Sequence, residues 1–129
     1  MRVPTVLVVD DDDSIREITQ LALEVVSKWT VIAADGGQRA IELAREHRPD
    51  AVLLDLMMPV VDGRATFQAL RADERTADIP VILLTAKLQV GEVQAWDDMD
   101  VAGVISKPFS PMSLGSEVAA MLGWDDVTA

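Results

Sequence analysis

Five short apolar runs punctuate the chain: Val6–Val9, Thr30–Ala33, Ala51–Leu54, Val81–Leu84 and Val101–Ile105. They are β-branched or Leu-rich, and none alternates apolar with polar residues. A strand with one face in water alternates, whereas a continuous run fits a strand covered on both faces, as in a parallel sheet. The stretches between the runs carry helical spacing instead. Ile15, Ile18, Ala22, Val25, Val26 and Trp29 recur at three- and four-residue steps, behind Asp12, Asp13 or Ser14 as N-cap. Ala40, Ile41 and Ala44 mark a second helix that stops before Pro49, and Phe67 and Leu70 a third that begins near Gly63. Val90, Val93 and Trp96 mark a fourth, and Leu114, Val118, Met121 and Leu122 a fifth, preceded by Pro111. Strand followed by helix, repeated through the chain, predicts an α/β fold: a doubly wound, five-stranded parallel sheet with five helices.

Length and charge narrow the function classes. With 129 residues, half of them hydrophobic, the chain has the size and apolar content of one domain. Lys and Arg number 11 against 22 Asp and Glu, a formal net charge of −11. A field of that sign repels phosphate backbones and anionic lipid, so neither nucleic acid nor membrane is an expected partner, while a cation is favoured. The chain has no Cys, which removes disulfides, thiolate nucleophiles and Cys-based metal sites. The apolar start is short and runs into four aspartates, Asp10 to Asp13, which fits neither a signal peptide nor a membrane span and leaves a cytoplasmic domain as the expectation.

In an open α/β sheet, ligands bind outside the carboxyl ends of the strands, near the point where strand order reverses. The first run exits into Asp10-Asp11-Asp12-Asp13, the third into Asp55, the fourth into Thr85 and the fifth into Lys107. Carboxylates packed at one site repel and favour a cation among them. An all-oxygen ligand set selects a hard ion such as Mg²⁺, which retains open positions for phosphate oxygens. Lys107 and the Thr85 hydroxyl supply a positive charge and a donor for further phosphate oxygens. The set suits a phosphoryl group carried on Asp55 as nucleophile, with catalysis by positioning and charge neutralisation. Asp12 and Asp13 read as helix-capping residues beside this site.

Val-Leu-Val-Val-Asp-Asp-Asp (6–12), Leu-Leu-Asp-Leu-Met-Met-Pro (53–59) with Asp62-Gly63, Leu-Leu-Thr-Ala (83–86) and Lys-Pro-Phe (107–109) together resemble the receiver domain of two-component response regulators. The resemblance covers about residues 5 to 123, a single domain within 1–129, and implies the flavodoxin-like strand order 2-1-3-4-5. It implies that Asp55 is the phosphoacceptor, and that Asp11 and Asp55 bind Mg²⁺ directly with the Met57 backbone carbonyl. Asp10 then acts largely through a metal-bound water, and Thr85 and Lys107 engage the phosphoryl group. The implied donor is a sensor histidine kinase or histidine phosphotransfer protein. The implied output is altered binding of a downstream protein through the face made by the fourth helix, fifth strand and fifth helix. On this reading the chain signals rather than turns over a substrate, apart from gaining and losing its own phosphoryl group.

The sequence departs from the family pattern in places. Val104 stands where the family usually has an aromatic ring that turns inward on activation, and the chain contains no Tyr. Signalling here is expected to run through Thr85 and the loop after the fourth strand. Asp100 replaces a usual Gly. Met57, two residues past Asp55, offers no polar side chain to orient an attacking water, so a longer-lived phosphate is expected. From Pro108 onward the only charges are Glu117, Asp125 and Asp126. A dimer built from salt bridges of both signs on that face lacks its basic half, so a monomer or weak dimer is expected. The chain reads as a stand-alone receiver or as one cut from a larger protein, with the Gly123-Trp124 ending and short acidic tail in favour of a natural terminus.

Three alternative readings fit these residues less well. A receiver-like binding module without phosphorylation usually lacks one of the acidic pair, the acceptor or the lysine, and all are present here. A phosphatase with an Asp nucleophile places a second Asp two residues later, where this chain has Met57. A flavin-binding domain would set its cofactor phosphate against an acidic edge. His47 reads as a cation at a helix C-terminus, and Trp29, Trp96 and Trp124 as core or helix-edge residues.

Overall fold

The computed structural model describes residues 3–55, 63–85, 101–106 and 109–124, with Thr85 described in its backbone alone. Five strands form one parallel sheet: β1 (Thr5–Val9), β2 (Thr30–Ala34), β3 (Ala51–Asp55), β4 (Val81–Thr85) and β5 (Gly103–Ser106). Their order is β2-β1-β3-β4-β5, so the expected topology and its point of reversal between β1 and β3 are present. Each strand overlaps its predicted apolar run to within two residues at either end.

The continuity of those runs has the anticipated cause, because both faces of the sheet are covered. Alternate residues Leu7, Val9, Val52, Leu54, Val81 and Leu83 pack on one side with helices α2 (Gly37–His47) and α3 (Gly63–Ala72). The intervening Val6, Val8, Leu53, Ile82, Leu84 and Ile105 pack on the other, against α1 (Asp13–Leu21) with its continuation and α4 (Leu114–Leu122). Leu7, Leu53, Leu54, Ile82, Leu83 and Leu84 are fully buried. Each such side chain is worth about 1.5–3 kcal/mol relative to exposure, which makes the central strands the main source of stability.

Four α-helices lie among the described residues, and α4 is the fifth of the predicted set. The predicted fourth, around Val90, Val93 and Trp96, lies outside the described residues, as does Asp100. Helices α2 and α3 bury the residues that periodicity selected: Ala40, Ile41 and Ala44, then Phe67 and Leu70. In α4, Leu114 and Val118 are buried while Met121 is partly exposed. Helix α2 stops at Arg48, whose φ of 46° is left-handed, directly before Pro49.

The first helix differs from its predicted face. It turns into a π-helical segment over Ala22–Val26; of the predicted stripe Ala22 and Trp29 are buried, Ile18, Val25 and Val26 are exposed, and Thr19 and Leu23 join the core in their place. Thr19 can face the core because its hydroxyl donates to the Ile15 carbonyl at 2.7 Å, so no polar group is stranded. The wide turn then ends at Lys28, with φ of 61°, and swings Trp29 inward to meet Trp124 edge-on at 5.4 Å between ring centroids. Gly115 of α4 sits directly on Ser27, where a Cβ would collide with the serine side chain. No helix among the described residues is long and apolar enough to cross a membrane.

Candidate functional site: an acidic cluster at the strand ends

The register of the sheet brings the acidic residues together. Val9 of β1 pairs with Leu54 of β3, so the residues one step further on, Asp10 and Asp55, leave adjacent strands side by side. Both are buried, whereas Asp11 is exposed. One carboxylate oxygen from each of Asp10, Asp11 and Asp55 can be chosen so that all lie within 4.8 Å of one another. Among the described residues, these three carboxylates form an acidic cluster whose ligand atoms are all oxygens, the donor chemistry of Mg²⁺ or another hard cation.

The loop after β1 is held by its own polar groups. The Asp10 amide donates to the Ala34 carbonyl at 3.1 Å, which prolongs the β1–β2 pairing by one residue. The Asp12 amide donates to Asp10 Oδ1 at 2.9 Å. Asp12 is the N-cap of α1, its carboxylate accepting from the Ile15 amide at 3.0 Å, and Asp13 lies in the first turn. Carboxylates at that end complement the helix dipole, which is the role anticipated for both. Arg16 was not singled out by sequence reasoning. Its guanidinium donates to the Asp10 backbone carbonyl at 3.0 Å and to the Asp13 carboxylate at 2.6 Å. The i,i+3 spacing of Asp13 and Arg16 announced the ion pair, but nothing in the spacing announced the bond back to Asp10.

On the other side of Asp55, the register pairs Asp55 with Leu84 and Thr85 with Ser106. The backbone of Thr85 thus stands at the same sheet edge, one step beyond the level of Asp55. Met57 and Lys107 lie outside the described residues, so of the six anticipated site residues the structure brings Asp10, Asp11 and Asp55 into one cluster and Thr85 to the adjoining strand end. Val104 pairs with Leu83 and packs partly buried on the α2–α3 side of the sheet. His47 is half exposed at the end of α2, beside Glu46, as its position predicted.

A second charged cluster lies between α2 and the turn after α3. Asp73 accepts from Arg75 at 3.0 Å and from Arg45 at 2.6 Å. The Arg75 side chain and amide, with Arg45 beyond them, hold the Asp73 carboxyl well below the usual carboxylate range, and Asp73 in turn raises Arg75. This network ties α2 to the α3–β4 connection and shares no residue with the acidic pocket.

The description "response regulator receiver domain" matches residues 6–119. The DNA-binding dual master transcriptional regulator RpaA of Synechocystis is 39% identical over 119 residues, 92% of this chain and 49% of that protein. The chemotaxis protein CheY4 of Vibrio cholerae superposes with a TM-score of 0.85 at 28% identity, covering 93% of this chain and 99% of that one. The receiver domain of the sensor histidine kinase PA1611 from Pseudomonas aeruginosa, described with a magnesium ion coordinated in its active-site cleft, gives 0.84 at 25% identity, covering 95% and 99%.

These relatives correct one expectation. Nucleic acid was excluded as a partner from the net charge of −11, yet RpaA is by name a DNA-binding regulator. The chain spans about half the length of that relative, and the charge of 129 residues says nothing of what the other half of such a protein contacts. The strand order, the acidic cluster at its point of reversal and the extent of the match lead to one conclusion: the chain belongs to the response regulator receiver domain family.

Proposed function

We propose that this single domain is a phosphoaccepting receiver that takes a phosphoryl group onto Asp55 from a phosphohistidine donor. The observation that carries the reading is the meeting of Asp10, Asp11 and Asp55 at the carboxyl edge of β1 and β3. The donor set fits Mg²⁺, with Asp11, Asp55 and the Met57 carbonyl as ligands and Asp10 acting through water. When bound, the ion neutralises charge on the transferring group and lets a phosphoryl dianion approach three carboxylates.

An Asp55 carboxylate oxygen attacks phosphorus in line with the departing imidazole nitrogen. The O–P bond forms as the N–P bond breaks, and the imidazole leaves with the electron pair. Burial of Asp55 at a strand end fixes the attacking oxygen, while the exposed Asp11 keeps the mouth of the pocket open. The Thr85 hydroxyl and Lys107 then hold the phosphoryl oxygens. The change spreads to the face formed by the predicted fourth helix, β5 and α4, where a downstream partner reads it. With Val104 in place of an aromatic ring, Thr85 and the loop after β4 carry that change.

The test is the intact mass of the chain after incubation with a small acyl phosphate and Mg²⁺. The wild type is expected to gain one phosphoryl group, and Asp55→Asn none. An adduct on Asp55→Asn, or loading that survives chelation of Mg²⁺, contradicts the reading.

A further inference from the structure

Arg16 straps the loop that carries two of the three clustered carboxylates. Its Nη1 donates to the Asp10 backbone carbonyl at 3.0 Å and its Nη2 to the Asp13 carboxylate at 2.6 Å. The arm to Asp13 alone is a surface i,i+3 pair, with Asp13 89% exposed, and such pairs add little. The arm to Asp10 is different, because the Arg16 side chain is only 21% exposed and reaches the main chain of a buried residue. Asp10 and Asp11 must stay close to Asp55 against the repulsion of like charges, and that repulsion pushes the loop outward. A planar guanidinium can hold the Asp10 carbonyl and the helix start in one fixed fork, whereas an ammonium serves one acceptor well.

We infer that Arg16 is a positioning residue for the cation site: by clamping the Asp10 carbonyl to the first turn of α1, it holds Asp10 and Asp11 in reach of Asp55. This inference rests on reading the cluster as a divalent-cation site. It also makes a prediction opposite in sign to plain electrostatics. A nearby positive charge repels Mg²⁺, so if Arg16 acted through its charge, neutralising it would tighten binding. If it acts by holding the loop, every replacement weakens binding, even one that retains the charge.

The experiment is calorimetric titration of the full chain with Mg²⁺ alone, for the wild type, Arg16→Lys and Arg16→Met, beside thermal unfolding in chelator. Groups that orient metal ligands typically cost about 10–100-fold in affinity when removed; Arg16 touches a ligand-bearing loop through its main chain, so about a three- to tenfold loss is expected for Arg16→Lys. Arg16→Met is expected to be at least as weak, with both variants still unfolding cooperatively near the wild-type temperature. Arg16→Lys, which keeps the charge and one bond, decides the matter if Arg16→Met fails to fold. Wild-type affinity in Arg16→Lys, or tighter binding in Arg16→Met, overturns the inference while leaving the cation site intact. A wild type that binds no Mg²⁺ overturns the cation site itself and the inference with it.

Discussion

Asp55→Asn removes one of three like charges whose oxygens lie within 4.8 Å of one another, and its effect on stability follows from that distance. Two unit charges at this separation repel by about 0.9 kcal/mol in bulk water and by about 3.5 kcal/mol at an effective dielectric of 20. Asp10 and Asp55 are both buried, which puts their pair near the upper figure, whereas the exposed Asp11 puts its pair with Asp55 near the lower. Asp55→Asn therefore relieves about 4 kcal/mol of repulsion. Against this, a neutral amide accepts hydrogen bonds less strongly than a carboxylate and gives up the attraction of Lys107 proposed for the same site, a combined loss of about 1–2 kcal/mol. The net expectation without divalent cations is a gain of about 2–3 kcal/mol, or roughly 6–12 °C in Tm for a domain of this size. The assay is thermal unfolding followed by circular dichroism at low salt in chelator, then with excess Mg²⁺. Mg²⁺ is expected to raise the wild type by mass action and Asp55→Asn by much less, so the gap between them narrows or reverses. An Asp55→Asn protein less stable than the wild type in chelator refutes the argument, because the three charges would then not be opposing one another in the fold.

Further perturbations test other parts of the account. Gly115→Ala should gain about 0.5–1 kcal/mol from helix propensity but lose about 1–3 kcal/mol by overpacking on Ser27, whose Cβ would lie 2.9 Å from the new methyl group. Urea unfolding is expected to show net destabilisation of about 1 kcal/mol, and the same change in a Ser27→Gly background should be stabilising. Asp73 has its folded-state pKa depressed by Arg75 and Arg45, so its contribution is full above the unfolded value near pH ~4 and is lost as pH falls through the folded one. Asp73→Asn is accordingly expected to lower Tm at pH 7, with the difference from wild type shrinking in acid; a difference that grows on acidification contradicts the assignment.

The parts of this fold that sequence discloses are those fixed by covering and by strand alternation. The central runs read as strands because both sheet faces exclude water, and Asp10 and Asp55 read as site residues because each directly follows such a run. The face of α1 was not legible in the same way. Ile18, Val25 and Val26 share one apolar period with Ala22, yet only Ala22 of these four is buried, and Thr19 and Leu23 complete the inward face because of the π-helical turn and a Thr19 hydroxyl satisfied within the helix. Contacts between segments distant in sequence were equally hidden. Gly115 against Ser27, Trp29 against Trp124 and Arg45 against Asp73 arise only when the layers are assembled. The charge argument against nucleic acid failed for a different reason: it weighed a domain, whereas a relative such as RpaA is about twice as long as the segment it shares with this chain.

The central claim is that Asp55 carries the phosphoryl group, and the most direct measurement locates the adduct. Chain loaded with a small acyl phosphate is treated with hydroxylamine, which cleaves an acyl phosphate to a hydroxamate, and then digested and sequenced by mass spectrometry. The account predicts a single hydroxamate, at Asp55, that disappears when Mg²⁺ is chelated before loading. A hydroxamate at Asp10 or Asp11, or a phosphoryl group on a hydroxyl that resists hydroxylamine, contradicts it.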